Sequence, residues 1–199
     1  VVFEPLMTSG LLGFLFSCVS GTSVYQRSSY LADRLGTKIA SDRFSVVDDG
    51  LMPRRAGTSP FDAEGAPCRR TTVVSRGVLE SFLCDAYAAR KLGLTSTGNA
   101  GGSAAAPNNF YLEPGPHSPE DIIRSCSEGL LLIRTLGHGL NPVTGDISRG
   151  AFGLWIEKGE IAYPVSEITI SGNLDEVLNG VEMVGNDLEF RGSICGPTV

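Results

Sequence analysis

Histidine is scarce in this sequence, which has only His117 and His138 among its 199 residues. The two lie far apart along the chain, so they cannot form an HExxH or related zinc motif. The sequence also has no Cys-x-x-Cys pair, which excludes a zinc ribbon and a thioredoxin-type redox site. A Ser-His-Asp triad stays open, because triads are defined by geometry and not by spacing. We expect reduced thiols at Cys18, Cys68, Cys84, Cys126 and Cys195.

Long hydrophobic runs and basic clusters are missing as well. The most apolar stretch, residues 11–19, is shorter than the roughly 18–20 residues that a membrane-spanning helix needs. Lys and Arg never occur more than two in a row, and the net charge is −6. We therefore expect neither a membrane segment nor a nucleic-acid interface. The sequence begins at Val1 rather than Met, and we interpret it as part of a longer protein.

Turn-forming residues, by contrast, are abundant. The sequence has 25 Gly and 11 Pro, which predict many tight turns and disfavour an all-helical bundle. Hydrophobic residues make up 42% and charged residues 19%, which is typical of a globular protein and excludes disorder of the whole chain. The length fits one domain over residues 1–199.

Helical patterns occur near both ends of the chain. The segment 8–35 is predicted to be helical with a break at Gly21, and its second helix spans residues 23–35. A further helix is predicted to begin after Ser118, which is an N-cap type followed by Pro, and to end near Gly129. A short helix is predicted over residues 174–178.

Hairpin patterns alternate with these helices. Residues 44–49 predict a strand, and residues 71–83 and 152–170 each predict a β-hairpin around a turn that contains Gly. The sequence therefore indicates an α+β fold, in which antiparallel β-hairpins or a sheet combine with a few short helices. Between the elements, residues 53–70 predict an ordered loop and residues 98–109 a mobile one.

A carboxylate and a guanidinium lie close together in the segment 144–150. Asp146 and Arg149 stand there among glycines, just before the second hairpin. One interpretation is an internal ion pair that holds the turn, and the other is a clamp by Arg149 on a substrate carboxylate. The spacing alone favours the ion pair.

Five segments of the chain together resemble sequence signatures of the TldD/PmbA family of metalloproteases, and they occur in the family's order. Their details are more similar to the PmbA (TldE) branch than to the TldD branch. The resemblance implies that residues 1–199 form the family's α+β C-terminal domain, with the N-terminal domain of the full protein absent. The segments are residues 21–25, 58–65, 89–102, 144–174 and 184–188.

The resemblance implies a cytoplasmic protease, made of TldD and TldE subunits, that degrades or processes unfolded peptides. In TldD a helix carries HExxxH: its histidines bind zinc, its Glu acts on the attacking water, and a Cys near the C-terminus is the third ligand. The corresponding helix here reads approximately Pro5–Gly10 and contains no His or acid, whereas Cys195 matches the third-ligand position. The resemblance therefore implies no catalytic or metal-binding residue in this chain, and zinc in a TldD-type partner.

One extended segment is a candidate for contact with a peptide substrate. Residues 164–170 would pair with a substrate backbone as an added strand, which makes Val165, Ser166 and Glu167 candidate peptide-binding residues. Arg149 is the fourth candidate, through its guanidinium. An equally good interpretation of the segment is a core strand of the chain's own sheet.

Functions of different classes remain open at this point. In the first, the chain is a non-catalytic subunit that shapes the peptide channel of a TldD-type partner in a heterodimer. In the second, it is an independent hydrolase or a homodimeric peptide-binding module. Descriptions of the family as modulators of DNA gyrase add a regulatory alternative, although the acidic charge disfavours direct contact with DNA.

Overall fold

The computed structural model describes residues 1–102 and 104–199. Two β-sheets and several helices make up these residues, so the predicted α+β class is confirmed. The elements in chain order are β1 (Val2–Phe3), α1 (Pro5–Val19), α2 (Gly21–Tyr25), β2 (Val46–Asp49), β3 (Arg70–Ser75), β4 (Val78–Leu79), α3 (Ala86–Leu92), β5 (Phe110–Leu112), α4 (Pro119–Ser125), β6 (Glu128–Leu136), β7 (Asp146–Glu157), β8 (Glu160–Asn173), α5 (Leu174–Asn179) and β9 (Ile194–Cys195).

The two sheets are joined through helix α1. The first sheet has the strand order β1-β6-β7-β8, and the second has the order β4-β3-β2-β5-β9. Pairing is parallel between β1 and β6 and between β5 and β9, and antiparallel between the other neighbours. Helix α1 contacts strands of both sheets, so its position fixes how the elements around it meet.

Helix α1 is held in place by one buried face. Thr8, Leu12, Leu15 and Val19 follow helical spacing and are all fully buried. Burying a leucine side chain stabilises a fold by roughly 1.5–3 kcal/mol, so this face anchors the helix firmly. Pro5 occupies the first turn, where a missing N–H costs little, and the helix therefore begins directly after strand β1.

The predicted second helix over residues 23–35 is wrong. Helix α2 ends at Tyr25, and the chain continues as turns. Arg27 has a φ of 58°, a left-handed conformation that cannot continue an α-helix. The Ser29 hydroxyl then donates to the Cys18 carbonyl at 2.6 Å and accepts from the Leu31 N–H at 3.0 Å. These bonds turn the chain so that Leu31 enters the core, which local periodicity does not reveal.

Both predicted hairpin turns are present. Arg76 and Gly77 have φ of 45° and 81°, and Lys158 and Gly159 have φ of 53° and 79°. Positive φ at both central residues defines the type I′ turn, whose twist matches that of the flanking strands. The second hairpin is longer than predicted, since β7 begins at Asp146 and β8 ends at Asn173.

Two further boundaries differ from the sequence prediction. Helix α4 ends at Ser125 rather than near Gly129, and strand β6 begins at Glu128. The segment 98–109 was predicted to be mobile, but its two ends are packed into the protein, since Asn99, Asn108 and Asn109 are buried. Ser103, inside the same predicted loop, lies outside the described residues. No helix in the described part of the chain has both the length and the apolar character that crossing a bilayer demands.

Candidate functional site

The N-terminal end of α1 and strand β9 enclose a cavity of about 490 Å³, which we call the α1 cavity. The structure therefore brings together the two features that the resemblance marked, the segment Pro5–Gly10 and Cys195. The residues that line the cavity are Glu4, Pro5, Leu6, Ser9, Asp187, Glu189, Arg191, Gly192, Ile194, Cys195 and Gly196.

The polar groups at the helix side of the α1 cavity satisfy one another. The Ser9 hydroxyl donates to the Pro5 carbonyl at 2.7 Å and accepts from the Gly196 N–H at 3.2 Å. The Cys195 thiol is buried and contacts the Gly192 carbonyl at 3.4 Å. Burial raises the pKa of Glu4, and the positive charge of Arg191 partly offsets this rise. These contacts fix β9 against α1, and no other described Cys or His is grouped with the Cys195 thiol as a metal ligand.

Two of the three acids that line the α1 cavity are engaged by other side chains, and the third is Glu4, whose pKa is raised by burial. Asp187 accepts from the N–H and the hydroxyl of Thr198 at 2.9 and 2.7 Å. Glu189 accepts two hydrogen bonds from the Arg191 guanidinium, at 2.9 and 2.7 Å. In residues 1–102 and 104–199, no three His, Cys, Asp or Glu residues are grouped so that they could hold a metal ion. The donor set of the cavity therefore does not fit catalytic zinc, which needs three protein ligands.

A second cavity, of about 310 Å³, lies between α1 and the first sheet, and we call it the sheet cavity. Its walls are mainly apolar, and Arg149 is its one charged side chain. The Nε atom of Arg149 is buried and has no hydrogen-bond partner. The lining residues are Val1, Phe3, Met7, Gly10, Leu11, Phe14, Leu132, Thr135, Leu140, Ile147, Arg149, Ile170, Ser171, Gly172, Val177 and Gly180.

The predicted ion pair between Asp146 and Arg149 is wrong. Asp146 is exposed, and its carboxylate bonds to Thr144 at 2.5 Å and Asn173 at 3.1 Å instead. These hydrogen bonds lower the pKa of Asp146. Residues three apart on a strand point to opposite faces, so Arg149 faces the sheet cavity and Asp146 does not. Asp146 still holds the turn before β7, but without the guanidinium.

Strand β8 forms one edge of the first sheet, because it pairs with β7 on one side and has no neighbour on the other among the described strands. Val165 is half-buried against the apolar cluster around Leu132, whereas Ser166 and Glu167 are exposed. The register shifts between β7 and β8 at this point, and Glu167 has a φ of 57°. The candidate residues Val165, Ser166 and Glu167 therefore lie at a β-bulge on an open edge.

A buried polar cluster in the second sheet was missed at the sequence level. Asp48, on the central strand β2, is fully buried and accepts from the Asn99 side chain at 2.7 Å. It also accepts from the N–H and the side chain of Asn108, at 2.9 and 3.0 Å. Burial raises the pKa of the Asp48 carboxyl to about 6, and these hydrogen bonds limit the rise. The cluster ties both ends of the segment 98–109 to β2.

The chain is an α+β domain in which the N-terminal end of helix α1 lies next to strand β9, the strand near the C-terminus that contains Cys195. The whole chain, residues 1–199, matches the family described as the PmbA/TldA metallopeptidase C-terminal domain. The chain belongs to this family. It is 40% identical to Metalloprotease PmbA of Escherichia coli O157:H7 over 98% of this chain and 43% of that protein.

Other relatives agree in sequence and in structure. A Metalloprotease PmbA homolog from Haemophilus influenzae is 38% identical over 98% of this chain and 42% of its own length. A solved structure from Thermotoga maritima has a TM-score of 0.94 at 32% identity, covering 100% of this chain and 47% of that one. TldE from Thermococcus kodakarensis has a TM-score of 0.87 at 28% identity, covering 99% and 47%. The chain thus spans less than half the length of the relatives it matches.

The contacts of Cys195 lead to a prediction. We expect Cys195→Ser to change the free energy of unfolding by no more than about 1 kcal/mol, because a serine hydroxyl can donate to the same Gly192 carbonyl. Chemical denaturation of the variant measures this change. Cys84→Ser is the matched control: Cys84 is fully buried in the main apolar core, so a hydroxyl there should cost more.

If the chain assembles with a zinc-bearing TldD-type partner, as the resemblance implies, the zinc content of that complex tests the role of Cys195 further. It should be the same with the Cys195→Ser variant as with the wild-type chain. A large loss of zinc from the complex would show that the thiol serves as a ligand across the subunit interface, and would contradict the prediction.

Proposed function

We propose that this chain is part of a PmbA (TldE)-type subunit of a metalloprotease that degrades or processes unfolded peptides. In this role it lacks the catalytic zinc and shapes the peptide channel of a TldD-type partner. The observation that carries the proposal is the composition of the α1 cavity. There Pro5–Gly10 stands where the resemblance places the family's zinc helix, and among the described lining residues Cys195 alone matches a ligand of the family's set.

The open edge of β8 supports a part in peptide binding. An extended peptide can add to a free strand edge through main-chain hydrogen bonds, which gives affinity with little dependence on sequence. This suits substrates that are unfolded and varied. In the proposal, Val165, Ser166 and Glu167 lie along the bound peptide, and the half-buried Val165 anchors the edge to the sheet beneath it.

The proposed partner supplies the chemistry. A TldD-type subunit would hold zinc, which lowers the pKa of its bound water to about 7 and so provides the nucleophile. The complex would be cytoplasmic, where the five free thiols of this chain stay reduced. A curated relative is named a TldD homolog, and a solved relative is named TldE, which fits an assembly of both types.

The experiment compares each subunit with the pair. We expect the complete protein alone to contain no stoichiometric zinc and to leave an unfolded fluorogenic peptide intact. Together with a TldD-type partner it should form a stable complex that cleaves the peptide, and a chelator should abolish the cleavage. A partner variant without the HExxxH glutamate is the control, and it should bind the chain without cleaving. Chelator-sensitive cleavage by the isolated protein would overturn the proposal.

A regulatory role without protease activity is the second candidate. It is favoured by the Thermotoga maritima relative, which was named as a candidate modulator of a DNA gyrase. A homodimer that binds peptides without cleaving them would be one form of such a regulatory protein. The net charge of −6 disfavours direct binding to DNA, so contact with the gyrase protein itself would be needed. Failure to bind any TldD-type partner, together with inhibition of gyrase supercoiling, would favour this second candidate.

A further inference from the structure

The sheet cavity is a partly open pocket in which no carboxylate balances the positive charge of Arg149. Its volume of about 310 Å³ lies at the small end of the roughly 300–1,000 Å³ of ligand pockets. Apolar side chains form most of its wall, and no Asp or Glu lines it. The other polar residues that line it are Thr135 and Ser171. The cavity therefore suits a small, mostly apolar group that carries one negative charge.

Arg149 has no partner for that charge in the described part of the protein. Its Nε is buried and makes no hydrogen bond, and its guanidinium forms no ion pair with a described carboxylate. A buried donor left without an acceptor is costly, so such groups are normally paired. The guanidinium binds planar carboxylates through two parallel hydrogen bonds, which makes a carboxylate its best complement.

The sheet cavity lies beside the edge strand along which the proposed function places a peptide. Ile170 and Ser171 of β8 line it, and Arg149 lies directly opposite Ile170 in the β7–β8 register. The cavity therefore opens beneath the same edge strand that carries the bulge at Glu167. A peptide that pairs with the free edge of β8 would place one of its termini at the sheet cavity.

We propose that the sheet cavity binds the C-terminal residue of a peptide, with the terminal carboxylate on Arg149 and an apolar side chain against Ile147 and Leu132. The proposal deepens the proposed function, since it rests on this chain handling peptides. The inference adds to the proposed function by naming which end of the peptide is recognised. An internal segment has no free carboxylate at its backbone, so the cavity would select chain ends.

The test compares two peptides that differ only at their C-terminus. An N-terminally labelled peptide ending in Leu is prepared with a free carboxylate and with a C-terminal amide, and its binding to the complete protein is followed by fluorescence anisotropy. We expect the free acid to bind at least about tenfold more tightly, as is typical of a hydrogen-bonded charge. This comparison needs no variant, so a folding defect cannot affect it.

Variants then assign the preference to Arg149. Arg149→Gln should bring the two peptides to equal affinity, and Arg149→Lys should keep part of the preference. The matched control is Arg134→Gln, an exposed arginine on the neighbouring strand β6, which should leave both affinities unchanged. Replacing the terminal Leu of the peptide by Asp should weaken binding, because the cavity wall is apolar.

Three results would overturn the inference, two from the peptides and one from a competitor. The first is equal affinity of the wild-type protein for acid and amide, and the second is an unchanged preference in Arg149→Gln. Octanoate, which offers a carboxylate on an alkyl chain, should displace the peptide poorly; displacement at equal concentration would overturn the assignment to a peptide. Binding is measured without a partner or cleavage, so these outcomes are independent of whether a TldD-type subunit joins the chain.

Discussion

Asp48→Ala should lower the free energy of unfolding at pH 7 by about 2–4 kcal/mol, because it leaves three buried donors without an acceptor. These donors are the backbone N–H of Asn108 and one N–H from each side-chain amide of Asn99 and Asn108, whose other N–H groups donate to backbone carbonyls. Their bonds link strand β2 to both ends of the segment 98–109, so the loss should loosen that segment as well. Urea denaturation of the variant and the wild type measures the change.

The exposed Asp33 is the control for this substitution. It pairs with Arg27 at the surface, where ion pairs contribute little, so Asp33→Ala should cost less than about 1 kcal/mol. If Asp48→Ala were no more destabilising than Asp33→Ala, the buried cluster would not have the role assigned to it.

The pH dependence of the free energy of unfolding gives a second test of the cluster around Asp48. The pKa of Asp48 is raised from 3.8 to about 6, so the folded protein holds this proton more tightly than the unfolded chain does. The contribution of this group to stability is therefore greatest below about pH 4 and falls as the pH rises through about 6. The deficit of Asp48→Ala should consequently be roughly 1 kcal/mol larger at pH 5 than at pH 7. A deficit that shrinks on acidification would contradict the raised pKa.

Gly98→Ala should be the second strongly destabilising change, by about 3 kcal/mol or more. Gly98 has a φ of 75°, and a Cβ there would lie 2.5 Å from the Pro67 carbonyl oxygen and 2.9 Å from the Cys68 Cα. Both atoms belong to backbone that cannot move away as a side chain would. The variant therefore combines an unfavourable conformation with a clash, and thermal or urea unfolding reports their sum.

Gly93→Ala separates these two causes. Gly93 ends helix α3 with a φ of 69°, and a Cβ there would meet no atom within 4 Å. Its replacement should cost only the left-handed conformation, about 1–2 kcal/mol. Equal destabilisation by the two variants would mean that the close approach of Pro67 contributes nothing.

The parts of the fold that were predictable are those decided by near neighbours in sequence. The Ser118 hydroxyl accepts from the Asp121 N–H at 3.1 Å, and the Asn173 side chain accepts from the Asp175 N–H at 3.0 Å. These two caps mark helix starts within three residues. The I′ turns at Gly77 and Gly159 are local in the same sense.

The parts that were not predictable depend on distant partners. Asn108 appears in a stretch of small and polar residues that is typical of a mobile loop, and only its bonds to Asp48 bury it. Leu31 is drawn into the core by a turn that uses the Cys18 carbonyl. The resemblance matched Pro5–Gly10 and Cys195 to parts of one zinc site, and the structure has both at one cavity, whereas nothing in the spacing of Arg149 indicated a cavity.

The β-bulge on strand β8 has a consequence for copies of the chain that meet in a crowded cell. A long, regular, open strand invites the same strand of a second molecule to pair with it, which is a route to fibres. Here Pro164 offers no N–H, and the charged, left-handed Glu167 interrupts the backbone three residues later. The free edge is thus irregular between Pro164 and Glu167. A brief peptide can still lie beside Val165 and Ser166, as the proposal places it, but a second copy of the strand cannot pair along the full length, which protects the protein against polymerising on itself.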